Sequence, residues 1–420
     1  MSYVEIEGGT VLEGEVRLQG SKNAILPILA ASILCRGKVI VHNCPDITDV
    51  RELLEALSYA GVDSLFRNGT VELDTANAKP CFFGPEYAGK TRGGVLLLGA
   101  FFGRFHEAGM AYPGGCAIGR RPIDLHCKVF RELHAVIDED DDAVFLKGTP
   151  KGGRVNLSYP SVGATENAVL AAVCAVGRTV LTGAAREPEV TELCYFLKTA
   201  GARIDGIGTS RIVIDGVSEL HGTEYTVSGD RIAAGTYLTA AAMTDGEIIL
   251  YGTEKVSMKG ILEYLSYAGA KVYRESGRII LKSSGVLHAV KTIKTAPYPF
   301  FPTDMQSLTA AMLCVADGES WIYETIFESR FGVVPELQKM KADIRTEDRC
   351  IRIRGVKRLQ GATVTATDLR SGAALVQAGI AADGLTRVYG YEYIARGYED
   401  ICGGFGKLGA RIRLAEENKE

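Results

Sequence analysis

One loop of the 420-residue chain combines a reactive side chain with positive charge. Cys116 follows two glycines, and Arg120 and Arg121 come within five residues of it. A neighbouring guanidinium lowers the pKa of a thiol, which makes the thiol a useful nucleophile or proton donor. Three glycines and two prolines between positions 113 and 122 are typical of a mobile lid. The alternative is that Cys116 is a small buried hydrophobic residue, as many cysteines are.

Polar clusters that precede alanine- and leucine-rich runs form a second set of candidates. Ser, Thr and Asp in this position are typical helix N-caps, and runs apolar on all sides predict buried helices over 24–34, 168–176, 237–243 and 373–381. The start of a buried helix offers free N–H groups and the positive end of a dipole, so it attracts anions. Four of the clusters also contain Lys or Arg, which predicts phosphate binding. The clusters are Gly20-Ser21-Lys22-Asn23, Thr91-Arg92-Gly93-Gly94, Ser161-Val162-Gly163-Ala164-Thr165, Ser228-Gly229-Asp230-Arg231, Pro302-Thr303-Asp304 and Thr367-Asp368-Leu369-Arg370.

The elements that position these clusters repeat along the chain. Six phrases, each a helix-like stretch followed by a strand-like tail, recur about every 70 residues, the sixth part of 420. Strand-like and helix-like segments alternate throughout, which predicts an α/β protein built of small α/β subdomains. The phrases share a small or β-branched position at Val62, Ala135, Ala202, Ala270, Ala342 and Ala410.

Composition limits the class of protein. Hydrophobic residues make up 46% and charged residues 23%, with a net charge of −4, which argues against general nucleic-acid binding. No uninterrupted apolar run reaches the length of a membrane span, and the N-terminus lacks the pattern of an export signal. The ten cysteines include no C-x-x-C pair, which disfavours a zinc site and a disulfide framework. We therefore expect a protein of the reducing cytoplasm.

Specific motifs connect these features to a known family. The cysteine loop P-G-G-C-A-I-G-x-R-P-x-D-L-H and the segment F-P-T-D-M-Q are the most specific, and the resemblance covers nearly the whole chain. On these motifs the chain resembles the UDP-N-acetylglucosamine enolpyruvyl transferases. The motifs are G-S-K-N at 20–23, the cysteine loop at 113–126, P-S-V-G-A-T-E-N at 160–167, A-R-E-P-E at 185–189, F-P-T-D-M-Q at 301–306, A-T-D-L-R at 366–370 and R-G-Y-E at 396–399.

The resemblance implies a fold and a reaction. The fold is a two-lobed "inside-out" α/β barrel made of six βαβαββ repeats, with the helix starts facing a cleft between the lobes. One lobe would comprise residues 22–229 with the Cys116 loop, and the other 1–21 plus 230–420. The reaction passes the enolpyruvyl group of phosphoenolpyruvate to the 3′-hydroxyl of UDP-N-acetylglucosamine and releases phosphate through a tetrahedral intermediate. It is the first committed step of peptidoglycan synthesis, and the resemblance implies that it needs no metal and no redox cofactor.

The resemblance also assigns roles to single residues. Cys116 would protonate phosphoenolpyruvate, and its thiolate would be the target of the epoxide antibiotic fosfomycin. Asp304 would be the base at the sugar hydroxyl, although an Asp in front of an alanine-rich helix is also a typical N-cap. Lys22 would be catalytic as well as phosphate-binding. The phosphoenolpyruvate-binding residues would be Lys22, Asn23, Arg92, Cys116, Arg121, Arg370 and Arg396; those for UDP-N-acetylglucosamine would be Asn23, Arg92, Arg121, Pro122, Ile123, Asp124, Leu125, Ser161, Val162, Gly163, Asp304 and Ile326.

Some positions depart from the family pattern. Arg120 replaces a small residue, Gly93-Gly94 replaces a small polar pair, Ala233 replaces an acidic residue, and the helix from Ile401 is rich in glycine and should be weak. No chemistry is assigned to His126. Two alternatives remain: the sister enzyme that acts on shikimate 3-phosphate, and a non-catalytic regulatory paralogue that binds UDP-N-acetylglucosamine. The sequence identifies no protein partner.

Overall fold

The chain forms two compact units of α/β architecture, as the alternating pattern predicts. A computed structural model describes residues 2–88, 93–112, 122–283 and 285–417. Among these, residues 20–227 form the first unit, and residues 2–19 together with 228–417 form the second unit. Each unit has its own hydrophobic core. No helix in the described part of the chain is long and apolar enough to cross a membrane.

The described strands of the first unit form three four-stranded sheets of one topology. In each sheet an edge strand runs parallel to its neighbour, and the two remaining strands continue antiparallel. A two-stranded pair joins Cys35–Arg36 to Leu220–His221. In sheet order, the strands are Glu224–Thr226, Lys38–His42, Thr70–Asp74 and Asp63–Arg67; Phe82–Phe83, Glu107–Ala111, Ala143–Lys147 and Val136–Glu139; and Arg154–Asn156, Arg178–Thr182, Arg211–Asp215 and Arg203–Asp205.

The second unit repeats this topology in its described strands, with two of its sheets completed from the chain's beginning. Ser2–Glu7 pairs antiparallel with two C-terminal strands, and Glu13–Arg17 pairs parallel with Glu247–Tyr251. In sheet order, the strands are Thr363–Thr365, Leu385–Tyr389, Ser2–Glu7 and Arg411–Glu416; Glu13–Arg17, Glu247–Tyr251, Arg278–Lys282 and Lys271–Glu275; and Thr292–Lys294, Glu319–Tyr323, Cys350–Arg354 and Asp343–Glu347.

The alanine-rich helices are buried, as their all-round apolar character predicts. Within the helix Arg231–Met243, for example, every residue from Arg231 to Ala242 is buried. The first unit contains the helices Lys22–Ser32, Thr48–Tyr59, Pro85–Ala88, Gly94–Phe105, Asp124–Glu132, Val162–Ala172 and Pro188–Thr199. The second unit contains Arg231–Met243, Ile261–Tyr267, Gln306–Leu313 after the 3₁₀ turn Thr303–Met305, Val333–Lys339, Leu369–Ala381, Tyr391–Ile394 and Ile401–Gly406.

Every copy of the recurring phrase is a helix end followed by a strand. At the turn of each copy one residue adopts a left-handed backbone conformation, which closes a helix C-terminus and suits glycine. Four copies use glycine there, but His134 (φ 68°) and Lys341 (φ 64°) adopt the same conformation with a side chain. The glycine positions are Gly61, Gly201, Gly269 and Gly409. The phrase therefore encodes a local reversal from helix to strand.

The glycine-rich last helix forms despite its low intrinsic propensity. Asp400 caps it by accepting a hydrogen bond from Gly403 N–H at 2.7 Å. A Cβ atom at Gly404 would lie 2.1 Å from the hydroxyl of Tyr237, so a side chain there would displace that buried ring. Close packing against Tyr237 thus explains why glycine occupies position 404.

Candidate active site

The second unit holds a carboxylate clamped between two buried arginines. Asp304 Oδ1 accepts a hydrogen bond from Arg330 Nη2 at 2.8 Å, and Asp304 Oδ2 accepts one from Arg370 Nη2 at 2.9 Å. The two guanidinium side chains are 4% and 5% exposed, whereas the carboxylate is 25% exposed. The acid therefore keeps access to solvent while the cations that hold it do not.

The arginines determine the ionisation of Asp304. Burial acts to raise the pKa of its carboxyl group, but the charges and hydrogen bonds of Arg370 and Arg330 outweigh burial and hold that pKa well below its usual range. Burial likewise acts to lower the pKa of Arg370, and the Asp304 carboxylate reverses the effect and raises it. The cluster thus contains one fixed negative charge and two fixed positive charges.

Asp304 is not a helix cap. It lies in the 3₁₀ turn Thr303–Met305, and neither this turn nor the following helix has a side-chain cap. The N-cap interpretation is therefore wrong for Asp304, because its oxygens are engaged by Arg330 and Arg370. It is correct for Asp230 and Asp368, whose carboxylates accept hydrogen bonds from the first backbone N–H groups of their helices.

A buried glutamate ties the segment around Ile326 to the turn that carries Asp304. Glu324 is 1% exposed; its Oε1 accepts hydrogen bonds from Thr295 Oγ1 (3.0 Å), Ile326 N–H (2.8 Å) and Phe327 N–H (3.1 Å). Its Oε2 accepts a hydrogen bond from Thr303 Oγ1 at 2.8 Å. One side chain thus positions the backbone at Ile326 and the residue next to Asp304.

Sequence reasoning missed Arg330. Its Nη1 donates to Thr303 Oγ1 at 2.9 Å, and its guanidinium carbon lies 5.3 Å from the centre of the Phe327 ring. Its Nε is buried without a hydrogen-bond partner among the described residues. A polar segment containing an arginine, Glu328-Ser329-Arg330, precedes the helix Val333–Lys339, so the helix-start rule could have found it.

Two further predicted residues of the second unit, Arg370 and Arg396, lie at the start of one helix and just after the end of another. Arg370 is in the first turn of the helix Leu369–Ala381, which Asp368 and Ser371 close with a reciprocal capping box. Arg396 is half-buried in the turn after the helix Tyr391–Ile394. Gln19 holds that turn from both sides, because its Nε2 donates to Gly397 C=O at 2.8 Å and its Oε1 accepts from Glu399 N–H at 3.0 Å.

In the first unit, Lys22 opens a buried helix beside a carboxylate. Lys22 Nζ lies 2.7 Å from Asp49 Oδ2, and the two side chains are 12% and 1% exposed. Asp49 is in the first turn of the helix Thr48–Tyr59, where a negative charge is favourable. Asn23 follows Lys22 in the first turn of the helix Lys22–Ser32. The predicted helix start and its cation are both present, and Asp49 is the partner that the motif did not reveal.

Two predicted nucleotide-sugar segments meet elsewhere in the first unit. Ser161 caps the helix Val162–Ala172 by accepting from Ala164 N–H at 3.4 Å, which places Val162 and Gly163 in its first turn. A Cβ atom at Gly163 would lie 3.0 Å from His126 Cε1. His126 belongs to the helix Asp124–Glu132, which also contains Leu125 and directly follows Pro122 and Ile123. The S-V-G turn and the D-L-H turn are thus in contact through His126.

His126 has a packing role in the described structure. Its Nδ1 lies 2.7 Å from Asn167 Nδ2, and the same amide side chain bonds Gly99 N–H and Val95 C=O. Asn167 therefore links three helices at the place where the two predicted segments meet.

Three predicted site residues lie outside the described residues. They are Arg92, Cys116 and Arg121. The departure at Arg120 lies in the same undescribed segment. Within the described ranges, no group of three or more His, Cys, Asp and Glu side chains could hold a metal ion.

Comparison with known proteins identifies the family. The family model described as EPSP synthase (3-phosphoshikimate 1-carboxyvinyltransferase) matches residues 6–404. The UDP-N-acetylglucosamine 1-carboxyvinyltransferase 2 of Caldanaerobacter subterraneus is 44% identical over 413 residues, which cover 98% of this chain and 99% of that protein. The UDP-N-acetylglucosamine 1-carboxyvinyltransferase 1 of Legionella pneumophila is 42% identical over 98% of this chain and 82% of its own length.

Solved structures agree with the sequence relatives. The enolpyruvyl transferase NikO from Streptomyces tendae matches with a TM-score of 0.88 and 25% identity over 99% of both chains. An EPSP synthase from Acinetobacter baumannii shares the fold, with a TM-score of 0.76 and 19% identity over 99% of this chain and 100% of that chain. Sequence and fold therefore agree: the chain belongs to the EPSP synthase family of enolpyruvyl transferases, in the group of the UDP-N-acetylglucosamine 1-carboxyvinyltransferases.

Proposed function

We propose that the protein transfers the enolpyruvyl group of phosphoenolpyruvate to the 3′-hydroxyl of UDP-N-acetylglucosamine and releases phosphate. The transfer would be the first committed step of peptidoglycan synthesis. The relatives that carry this activity in their names are 42–44% identical over nearly the whole chain. A cytoplasmic location is part of the proposal.

The direct contact between Asp304 and Arg370 is the structural observation that carries the proposal. Asp304 is the residue expected at the acceptor hydroxyl, and Arg370 is one expected at phosphoenolpyruvate. Their 2.9 Å hydrogen bond would place the two reactants side by side, as direct transfer requires.

Asp304 would be a weak base while it is hydrogen-bonded to both Arg330 and Arg370. A carboxylate whose pKa lies well below its usual range takes up a proton poorly. Bound phosphoenolpyruvate is anionic and would compete with Asp304 for the N–H groups of Arg370. Bound phosphoenolpyruvate would therefore raise the base strength of Asp304 at the sugar hydroxyl.

The remaining roles follow the predicted residues. Cys116 would deliver the proton to the methylene carbon of phosphoenolpyruvate, while Lys22, Arg92, Arg121 and Arg396 would neutralise its phosphate. In the nucleotide-sugar site, the N–H groups at the start of the helix Val162–Ala172 would receive the diphosphate. We assign the rest of that site to Asn23, Arg92, the segment 121–125, Asp304 and Ile326.

The six described four-stranded sheets support an architectural proposal as well. Their shared topology is that expected if each sheet and its helices form one βαβαββ repeat, with three repeats in each lobe of an inside-out barrel. The two compact units, whose boundaries along the described chain fall at residues 19–20 and 227–228, support lobes of 22–229 and 1–21 plus 230–420.

Phosphate release decides between the proposed acceptor and its alternatives. The purified protein with phosphoenolpyruvate should release phosphate when UDP-N-acetylglucosamine is added and not when shikimate 3-phosphate is added. Release only with shikimate 3-phosphate would identify the sister activity. Binding of UDP-N-acetylglucosamine without any phosphate release would identify a non-catalytic paralogue.

A further inference from the structure

The F-P-T-D-M-Q motif ends in a glutamine to which the proposed roles assign nothing. Gln306 is the first residue of the helix Gln306–Leu313, two positions after Asp304, and it is fully buried. Its Nε2 donates a hydrogen bond to the backbone carbonyl of Arg330 at 2.9 Å. Gln306 therefore contacts one of the two arginines that hold Asp304.

The orientation of the Gln306 amide follows from its partners. A backbone carbonyl can only accept a hydrogen bond, so the nitrogen of the amide must face Arg330. The amide oxygen then accepts from the hydroxyl of Ser307 at 3.0 Å. Both ends of this buried amide are bonded, which gives the side chain one favourable orientation.

A single turn of the chain holds Arg330 at both of its ends. The guanidinium donates to Thr303 Oγ1 at 2.9 Å and to Asp304 Oδ1 at 2.8 Å, while Gln306 holds the backbone carbonyl of the same arginine. Arg330 itself lies in a turn outside the described helices and strands, where the regular hydrogen bonds of those elements do not fix the backbone. Gln306 thus fixes the base of a side chain whose tip must reach Asp304.

We propose that Gln306 is a positioning residue: by holding the backbone of Arg330, it keeps the guanidinium of that arginine on Asp304. An arginine side chain has several rotatable bonds, so the place that its planar donor group reaches depends on where its backbone is fixed. The proposal deepens the proposed function and rests on it only in treating Asp304 as the base at the acceptor hydroxyl.

Gln306→Met tests this contact with little change in side-chain size. The thioether cannot donate to the Arg330 carbonyl, so the backbone of Arg330 loses its anchor. We expect kcat for enolpyruvyl transfer to fall about 10- to 100-fold, because a misplacement of about 1 Å can cost a reaction about 100-fold.

Gln377→Met is the matched control. Gln377 is also fully buried in the second unit; its Nε2 donates to the Leu308 carbonyl at 2.5 Å and its Oε1 accepts from Thr239 Oγ1 at 2.8 Å. It therefore loses the same kinds of hydrogen bond when changed to Met, but these bonds join neighbouring helices instead of holding Arg330. The control should keep kcat near that of the wild type.

A cycle of variants unfolded in urea tests the proposal without any activity. In the wild type, Asp304→Asn removes the carboxylate that receives the Arg330 guanidinium and should lower the urea midpoint. In the Gln306→Met background that guanidinium is already displaced, so Asp304→Asn should lower the midpoint by less. In the Gln377→Met background it should lower the midpoint by as much as in the wild type. Equal shifts in all three backgrounds would overturn the proposal.

Ser307→Ala is a second, milder variant that keeps the test available should Gln306→Met fail to fold. It removes the donor to the Gln306 amide oxygen and should lower kcat in the same direction by a smaller factor. Because both residues act on one amide, the double variant Gln306→Met/Ser307→Ala should be little worse than Gln306→Met. An unchanged kcat in Ser307→Ala, or losses that multiply in the double variant, would count against the proposal.

Wild-type phosphate release, measured first, tests the proposed function alone. With an active wild type, an unchanged kcat in Gln306→Met would refute positioning, as would an equal loss in Gln377→Met. A crystal structure of Gln306→Met gives a geometric check that, like the urea cycle, stands even for an inactive wild type. Arg330 Nη2 should lie beyond hydrogen-bonding distance of Asp304 Oδ1, more than about 3.5 Å away, and an unmoved guanidinium would refute the proposal.

Discussion

Glu324 offers the most demanding test of how the second unit is held together. Its carboxylate accepts four hydrogen bonds while being 1% exposed, and two of the donors are the backbone N–H groups of Ile326 and Phe327. Glu324→Ala leaves both N–H groups without this acceptor. The hydroxyls of Thr295 and Thr303 can rotate towards other partners, but a backbone donor cannot.

The expected loss in free energy of unfolding follows from these two backbone donors. A buried donor left without a partner costs about 1–3 kcal/mol. Ile326 and Phe327 are half-buried, so water recovers part of this cost, and we expect Glu324→Ala to lower the free energy of unfolding by about 2–4 kcal/mol. Glu324→Gln keeps one acceptor oxygen and should lose only about 1 kcal/mol.

Urea unfolding followed by tryptophan fluorescence measures this loss. The chain contains one tryptophan, Trp321, on the strand that ends beside Glu324, so the signal reports the second unit. A loss of this size should move the urea midpoint by about 1 M. The KM for UDP-N-acetylglucosamine should rise in the same variant, because Ile326 is assigned to that substrate.

Glu336→Ala is the matched control. Glu336 is a similarly buried carboxylate of the second unit, but it accepts from one backbone N–H group, that of Thr365, and from the half-exposed Lys339. It should lose about 1–2 kcal/mol and leave the substrate KM values unchanged. Equal losses for Glu324→Ala and Glu336→Ala, or a loss below about 1 kcal/mol in Glu324→Ala, would refute the count of unsatisfied donors.

Three further predictions address conformation, charge and chemistry. Lys341→Gly should stabilise the second unit by about 0.5–1 kcal/mol in the same urea assay, because glycine adopts the left-handed turn without the steric cost that Lys341 bears; a lower midpoint would contradict this. Because the folded-state pKa of Asp304 is depressed, its charge stabilises the fold above its unfolded pKa of about 3.9 and ceases to do so as the pH falls through the folded value. The stability difference between the wild type and Asp304→Asn should therefore shrink as the pH is lowered from 6 to below about 4, and a difference independent of pH would show that the ion pairs contribute nothing. Cys116→Asp should keep measurable turnover with a lower pH optimum and become insensitive to fosfomycin, whereas Cys127→Ala, at a buried cysteine, should keep both turnover and sensitivity; a Cys116→Ala variant with full activity would remove this cysteine from the mechanism.

Local features of the fold were accessible from the sequence because each depends on neighbouring residues. The six recurring phrases end helices and begin strands through a residue in the left-handed region, a requirement that a few consecutive positions satisfy. The polar clusters mark helix starts for the same reason: Ser161, Asp230 and Asp368 cap the N–H groups two or three residues beyond them. The family motifs named the residues of the candidate site without showing their contacts.

Tertiary structure alone decided which of those residues meet. Asp304 could have capped its own helix, yet its oxygens accept from Arg330 and Arg370, which are 26 and 66 positions away. No local pattern distinguishes the two outcomes, because the competing partners come from other elements. The strand Ser2–Glu7 likewise pairs with Arg411–Glu416, at the opposite end of the chain. Such pairings depend on how whole sheets pack and on which charges they bury together, and these are long-range properties that periodicity and motif spacing do not contain.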